Sequence, residues 1–378
     1  MSRGCVRILD TNYVDIELLA NSSVSSEQTS FPVTNAYNLQ RRSKVWRSEG
    51  YFNVTALNSD IVFNDGSGNV TASIAVAEYD STSSFMAAID AALESAGVAN
   101  YTITQNTNFK FVISSDLSGG ATVFELITTD AGFTAAEMLG FDILTDKTGA
   151  SSYTADVLII STGEFIRWDM GISSLPSAFS MIGPRNKPLK LSPSGTFTLK
   201  GNFTNNFTNP YYSQVLSYDD EVIAVMSETT LADTGLRYWQ VEFEDQNPNG
   251  YVEVGAFFLG TYFSPIRGRV NFPFVSQYVD RSQTIFSEGG QTYADIFEQS
   301  QKYNIVWNGL QKEDIEDITE IFRVYGVAKP FFISFDSSAA FSDEFNRFLK
   351  FVKFQEEPSF RLVSPNNFVC EMTLREEL

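Results

Sequence analysis

Carboxylates are the most plentiful side chains in this sequence that could do acid–base chemistry. The 378 residues include 46 Asp and Glu and no His. Without His, the Ser-His-Asp and Cys-His arrangements, the commonest zinc ligands and the usual proton shuttle at neutral pH are excluded. Asp169 follows Trp168, and Glu253 lies close to Tyr251. Either carboxylate could line a sugar site as one half of a glycosidase pair. Because acids are so common in this chain, solvent-facing strand residues are the favoured interpretation, and no catalytic residue is assigned.

Metal and cofactor motifs are weak in this sequence. Asp142, Asp146 and Asp156 could ligate calcium, but their spacing is not that of an EF-hand loop. The run Asp-Gly-Ser-Gly at 65–68 is more typical of a hairpin turn than of a metal loop. Neither a phosphate-binding P-loop nor a dinucleotide fingerprint occurs. We therefore expect no cofactor and no metal.

The two cysteines, Cys5 and Cys370, lie at opposite ends of the chain. They could pair only if the two ends meet, which sequence alone leaves open. Cys370 has the inward parity of a predicted strand, so we expect a small core residue rather than a nucleophile. Two cysteines in a chain of this length favour a reducing compartment.

An aromatic loop is the best candidate for a contact surface. Residues 202–212 are rich in Asn, Phe and Tyr, which predicts a long exposed loop. Its aromatic side chains could stack on sugar rings or pack on a partner subunit, and both possibilities remain open. The candidate contact residues are Phe203, Phe207, Tyr211 and Tyr212.

Charge and hydropathy exclude several classes of partner. The net charge is −20, which repels nucleic-acid backbones and anionic membranes. The only dense basic run, residues 41–44, is too short to offset this charge. No stretch approaches the roughly 18 apolar residues of a membrane span, and the first residues lack a signal-peptide core. We therefore expect a soluble protein that is not exported by a classical route, with no nucleic-acid binding and no membrane insertion.

The composition predicts a mainly β fold with α+β parts. Aromatic residues make up 14% of the chain, and such side chains favour half-buried pleated surfaces. Trp239, Val241 and Phe243 alternate with polar residues, which indicates a strand with one apolar face. Turn-forming residues follow at 245–250, and alternation resumes beyond them. This pattern predicts an antiparallel hairpin over 236–260, whose apolar face a second sheet must cover.

Three units are predicted along the chain. Residues 1–56 and 157–265 form a split β-sandwich, and 57–156 form an inserted small α+β module, where the composition shifts to Ala, Ser, Thr, Gly and Asp. Within the insertion, Ser83 or Ser84 is expected to cap a helix. Residues 266–378 form a C-terminal α+β domain. Its clearest element is a helix over 311–325, with an apolar stripe and acids in its first turn.

Short motifs, taken in chain order, resemble a discoidin or galactose-binding-like sandwich. They are Arg-Arg-Ser-Lys-Val-Trp-Arg-Ser at 41–48, Phe-Ile-Arg-Trp-Asp-Met-Gly at 165–171, Arg-Tyr-Trp at 237–239 and Gly-Tyr-Val-Glu-Val-Gly at 250–255. As a set they resemble tail-tip and baseplate proteins of tailed bacteriophages, in which such a sandwich precedes a terminal α+β domain. The inserted module, with Met-Leu-Gly-Phe at 138–141, is similar to a small module of phage structural proteins. One departure is that the insertion splits the sandwich.

This resemblance implies a structural virion protein rather than an enzyme. The expected function is assembly into a ring at the tail tip, the baseplate or the end of the tail, with other phage tail proteins and copies of itself as partners. The expected location is the virion tail, after assembly in the host cytoplasm. One alternative is a carbohydrate-binding adhesin that contacts a host-surface glycan through the sandwich loops. Another is a glycan hydrolase that uses Asp169.

Overall fold

The computed structural model describes residues 7–14, 21–37, 44–66, 68–117, 124–157, 163–183, 196–216, 235–244, 251–265, 269–270, 275–280, 282–286, 292–295, 299–335 and 349–377. Strands predominate in these ranges and every strand pairing in them is antiparallel, which confirms a mainly β fold with some α structure. The helices are α1 (Thr82–Ala96), α2 (Ala136–Leu139) and α3 (Lys312–Tyr325), with a short 3-10 helix at Val33–Tyr37.

The strands follow in chain order. They are β1 (Arg7–Asn12), β2 (Ser22–Val24), β3 (Trp46–Arg47), β4 (Phe52–Val54), β5 (Asp60–Asn64), β6 (Asn69–Ser73), β7 (Ala77–Tyr79), β8 (Tyr101–Gln105), β9 (Phe111–Ser115), β10 (Glu125–Leu126), β11 (Ser152–Thr154), β12 (Glu164–Ser174), β13 (Ala178–Ile182), β14 (Thr196–Asn202), β15 (Tyr212–Leu216), β16 (Leu236–Glu244), β17 (Glu253–Val254), β18 (Ala256–Phe263), β19 (Arg269–Val270), β20 (Val275–Val279), β21 (Gln283–Phe286), β22 (Thr292–Asp295), β23 (Ser300–Leu310), β24 (Phe331–Ser334), β25 (Leu349–Phe354), β26 (Ser359–Ser364) and β27 (Asn367–Glu376).

Two sheets enclose the largest core. One has five strands in the order β15-β14-β16-β12-β2, and the other is a ten-stranded sheet that begins β13-β18-β1. Apolar side chains from both sheets meet in one buried cluster, among them Leu199 and Val241 from the first sheet and Phe179 and Leu259 from the second. Burying the inner faces of two antiparallel sheets against each other is the arrangement of a β-sandwich.

The predicted hairpin over 236–260 is wrong. Strand β16 pairs with β12 and β14, whereas β18 pairs with β13 and β1 in the other sheet. Trp239, Val241 and Phe243 are all buried, as the alternation predicts, although Gln240 between the first two is buried as well. The two strands face the same core from opposite sides, so each satisfies its apolar pattern without pairing with the other.

Three tryptophans anchor this core. Trp46, Trp168 and Trp239 belong to one buried cluster although they lie far apart in sequence. Each indole N–H donates a hydrogen bond: Trp46 to Ser26 O at 3.2 Å, Trp168 to Tyr37 Oη at 2.9 Å, and Trp239 to the carbonyl of residue 236 at 3.2 Å. Since buried polar groups need partners, these bonds allow three large rings to be buried together.

The chain between β3 and β12 builds a second core of its own. This core runs from Phe52 to Ala155 and packs α1 against the small sheets β10-β5-β6 and β11-β9-β8. Its first residues precede the predicted boundary at 57, because β4 pairs with β7 and Phe52 stacks on Phe85 at 4.2 Å. We call the part from 52 to 155 the guest module. Helix α1 is capped by Ser81, not by Ser83 or Ser84 as predicted.

The C-terminal part shares a sheet with the sandwich but has a separate core. Strand β1 pairs with β18 on one side and with β24 on the other, so the ten-stranded sheet continues through β24, β25, β27 and β23. A third buried cluster includes Trp307, Ile318 and Leu374. Helix α3 matches its predicted span and has a capping box formed by Gln311 and Asp314.

Candidate functional site

The carboxylates that could have formed a glycosidase pair each bind an arginine. Asp169 accepts two hydrogen bonds from Arg237, at 2.7 Å from Nε and 2.8 Å from Nη2, and one from the backbone N–H of Gly171. The hydrogen bond from Arg237 holds the pKa of Asp169 below its usual range. Glu253 accepts a hydrogen bond from Nε of Arg47 at 2.8 Å. The two candidate acids therefore belong to two different ion pairs.

The candidate calcium ligands serve loop structure. Asp156 accepts hydrogen bonds from the backbone N–H of Asp142 and from Nζ of Lys147, both at 2.8 Å. Asp146 accepts one from the backbone N–H of Thr129 at 2.9 Å. In the ranges that the structure describes, no three Cys, Asp or Glu side chains are grouped so as to hold an ion.

Cys370 lies in the third core, as its parity predicts. It is fully buried on β27, and burial raises the pKa of its thiol to about 12. A thiol in this state is inert at neutral pH because the thiolate is the reactive form. Cys5 lies outside the described residues, as do residues 41–43 of the basic run.

The aromatic loop connects β14 to β15 and divides its four candidate residues into two pairs. Phe203 and Tyr211 are 45% and 58% exposed, and their ring centroids are 4.9 Å apart in an edge-on contact. Phe207 and Tyr212 are buried. The side chain of Asn202 ties the loop together by donating to the carbonyl of residue 206 at 2.6 Å. The exposed pair therefore stands on an internally braced loop.

Phe207 and Tyr212 take structural roles that the sequence did not reveal. The ring of Phe207 lies 4.8 Å from the guanidinium carbon of Arg167, which is also 4.6 Å from the ring of Phe165. Tyr212 packs in the core with its ring 5.6 Å from Trp239. A guanidinium held between two aromatic faces is stabilised by cation–π attraction.

Arg167 is the centre of a polar network on the outer face of the five-stranded sheet. It donates two hydrogen bonds to Oε1 of Gln240, at 2.9 and 2.7 Å, from the neighbouring strand. Further along the same face, Lys200 forms an ion pair with Glu242. Burial lowers the pKa of Arg167 below its ordinary value, and the group remains charged at neutral pH. This network joins β12, β16 and β14 across the outer face of the sheet.

The exposed aromatic pair and the exposed ion pair lie at the same end of this sheet. Asp169 is opposite Tyr238 in the register of β12 and β16, and Tyr238 is opposite Asn202 in the register of β16 and β14. Neighbouring strands are about 4.8 Å apart, so Asp169 lies about 10 Å from Asn202, which precedes Phe203. The exposed rings of Phe203 and Tyr211 and the bidentate Arg237–Asp169 pair thus lie at one end of the sheet. We call this surface the aromatic edge.

A cleft of about 320 Å3 lies where the guest module meets β12 and β2. Its lining includes Tyr51, Glu78, Asp80 and Phe165. The rings of Tyr51 and Phe165 are 5.5 Å apart at 78°. Burial and a hydrogen bond to Glu78 raise the pKa of Tyr51 well above its usual value. The cleft therefore joins aromatic, hydroxyl and carboxylate groups from both units.

Glu164 lies beside this cleft in a shell of serines. Its carboxylate is fully buried and accepts hydrogen bonds from the hydroxyls of Ser25 and Ser26, the latter at 2.9 and 3.0 Å. Ser26 Oγ in turn accepts from the backbone N–H groups of Glu49 and Gly50. Burial raises the pKa of Glu164 to about 7. No ion pair to Glu164 occurs within the part of the chain that the structure describes. Its ionised form is stabilised by the hydroxyls of Ser25, Ser26 and Ser48 and by the backbone N–H of Gly50.

Comparison with known proteins adds no relative. No protein-family model matches the chain, and a search of curated proteins finds no significant match.

Proposed function

We propose that the protein is a structural component of a bacteriophage tail, at the tip, the baseplate or the tail end, that assembles into a ring with neighbouring virion proteins and with copies of itself. It would be assembled in the host cytoplasm and would remain in the virion tail. In this role the chain binds partners and turns over no substrate.

The observation that carries this proposal is the exposure of apolar side chains on edge strands and on the loop that joins β14 to β15. Phe203, Tyr211 and Val215 are exposed around the β14–β15 hairpin, and Leu362 and Val363 are exposed on β26. Native proteins normally blunt such edges with charges or cover them, because unpaired strands recruit other chains. Exposed apolar patches mark binding surfaces in proteins that remain in solution. The order of the sequence motifs is the second support.

Gene deletion in a phage that encodes this chain would test the proposal. Particles made without the protein are expected to lack complete tails in electron micrographs, and supplying the gene on a plasmid is expected to restore them. Fully tailed particles in the deletion strain would contradict the proposal. Complementation with a plasmid that carries the double substitution Phe203→Ala and Tyr211→Ala tests in addition whether the aromatic edge takes part in assembly. Incomplete tails in this strain would show that it does.

The aromatic edge also favours a second candidate function, a carbohydrate-binding adhesin that contacts a host-surface glycan. Apolar faces of sugar rings stack on exposed aromatic rings, and paired hydroxyls suit a planar, bidentate group such as the Arg237–Asp169 pair. On a glycan array, binding by the wild type that disappears in the Phe203→Ala and Tyr211→Ala double variant would support this function. Silence on the array, with normal assembly, favours the structural role. Release of reducing sugar that stops in Asp169→Asn would indicate a hydrolase instead.

A further inference from the structure

Strand β26 lies at an edge of the ten-stranded sheet. Strands β25 and β26 follow one another along the same edge of β27: β25 pairs with its last residues and β26 with its first residues. All six residues of β26 are exposed, including Leu362 at 62% and Val363 at 56%. Among the described strands, β27 is the only one that pairs with β26. Within the described residues, one edge of β26 therefore has no strand partner, and the side chains on both of its faces are exposed.

Strand β15 offers a matching edge on a different sheet. It is the terminal strand of the five-stranded sheet and pairs only with β14 among the described strands. Val215 on this strand is 64% exposed. The sequence of β15, Tyr-Ser-Gln-Val-Leu, contains neither Pro nor a charged residue. Within the strand, therefore, neither a charge nor a proline discourages pairing with another chain.

Charge favours a contact between these two strands when two copies meet. Each copy carries a net charge of −20, so copies repel one another over most of their surfaces. No Asp or Glu occurs between residues 170 and 218, which include β15, or between 358 and 370, which include β26. The only charged residue in β26 is Arg361. The two strands therefore bring no carboxylate of their own into a contact between copies, and the nearest acids lie just beyond them, at 219–221 after β15 and at 356, 357 and 371 around β26.

We propose that β26 of one copy adds to the free edge of β15 in the next copy and extends its five-stranded sheet by a sixth strand. Strand addition supplies backbone hydrogen bonds, and the exposed side chains of Val215 and Leu362 gain apolar neighbours. Because the two edges differ, the contact is head-to-tail, and repeating it with a closing rotation produces a ring. This inference rests on the proposed function only in assuming that copies of the chain assemble with one another.

Engineered cysteines test the pairing directly. In a Cys5→Ser background, Leu362→Cys is combined with Ser213→Cys in one double variant and with Val215→Cys in another. The two double variants test two registers of β26 against β15 that differ by two residues. Residues opposite each other in paired strands have Cβ atoms about 5 Å apart, within reach of a disulfide. The expected result is a ladder of cross-linked multimers on non-reducing gels for one double variant, with monomer only for each single variant.

Lysine substitutions provide a second readout without new covalent bonds. Light scattering during size exclusion is expected to show multimers for the wild type and for Val98→Lys, a matched exposed valine of the guest module. Val215→Lys and Leu362→Lys are expected to be monomeric. Because both side chains are exposed, each variant should keep the far-ultraviolet circular dichroism spectrum of the wild type. A changed spectrum would identify a folding defect rather than a lost contact.

Three results would overturn the inference. Cross-linking by Leu362→Cys alone would show that two β26 strands pair with each other. Multimers that survive both lysine substitutions and form no cross-link would place the contact elsewhere, while leaving self-assembly in the proposed function intact. A wild type that remains monomeric at all concentrations would show that copies of the chain do not bind one another. The proposed function would then be tested separately by tail assembly in the deletion strain.

Discussion

The buried carboxyl group of Glu164 makes the stability of the sandwich depend on pH, and Glu164→Gln should abolish that dependence. Gln has nearly the same shape and can exchange hydrogen bonds with the hydroxyls of Ser25 and Ser26, which surround the carboxylate. It cannot ionise. The substitution therefore removes the unfavourable free energy of burying a charge and leaves the packing at the start of β12 unchanged.

The magnitude follows from the shift in pKa. Burial raises the pKa of Glu164 from 4.5 to about 7, so the folded protein binds the proton more tightly than the unfolded chain. Folding stability from this group is therefore complete below pH 4.5 and is lost as the pH rises towards 7. A shift of this size corresponds to about 3 kcal/mol of unfolding free energy. Glu164→Gln and wild type should be similar near pH 4.5, and the variant should be more stable by about 3 kcal/mol at pH 8.

Urea denaturation at pH 4.5, 6 and 8 measures this difference. Tryptophan fluorescence is a suitable probe, because three of the four tryptophans lie in the core next to Glu164. Glu244→Gln is the matched control: Glu244 is an exposed residue next to Phe243, which pairs with Glu164. The other titrating groups are common to all three proteins and cancel in the comparison. A gap between Glu164→Gln and wild type that stays constant from pH 4.5 to 8 would refute the reasoning.

Two further substitutions probe contacts that support the sandwich. Arg47→Lys keeps the charge but loses the planar group that lies 4.0 Å from the ring of Phe31 and 4.1 Å from that of Tyr251, so we expect a loss of about 1 kcal/mol in urea denaturation. An unchanged midpoint would mean that the stacking contributes nothing. Trp168→Phe removes the indole N–H that donates to Tyr37 Oη and leaves a cavity, so the loss should be about 2 kcal/mol or more. Wild-type stability of that variant would contradict the central place of this ring in the core.

Local patterns in the sequence were sufficient for the elements that carry their own signals. The alternation of Trp239, Val241 and Phe243 correctly indicated which side of β16 is buried. The apolar stripe and acidic first turn of α3 identified a helix whose limits match those observed. In both cases the period of the side chains and the end signals lie within one element, so no distant residue was needed.

The pairing of strands could not be predicted in the same way. An apolar strand followed by turn-forming residues and a second apolar strand fits a hairpin, but it fits equally well two strands on opposite sides of a sandwich. The chain adopts the second arrangement, because β16 finds its partners β12 and β14 elsewhere in the sequence. Strand partners are chosen by long-range packing, which a local pattern does not encode.

The candidate site shows the same limit. Phe207 and Tyr212 were expected to be exposed with the rest of the aromatic loop, but Arg167 and Trp239 lie under them and draw them inward. No local signal in the sequence marks Glu164 as buried, because an acid at the start of a strand is usually exposed. The serines that bury it come from a segment about 140 residues earlier in the chain.

Quantitative mass spectrometry of purified virions tests the central claim, that this acidic β-rich chain exists to be held by neighbouring proteins in a phage tail. The account predicts its peptides in intact particles, at a constant copy number that stays with the tail when heads and tails are separated. Particles free of this protein, with all of it in the soluble fraction of the lysed host, would contradict the claim.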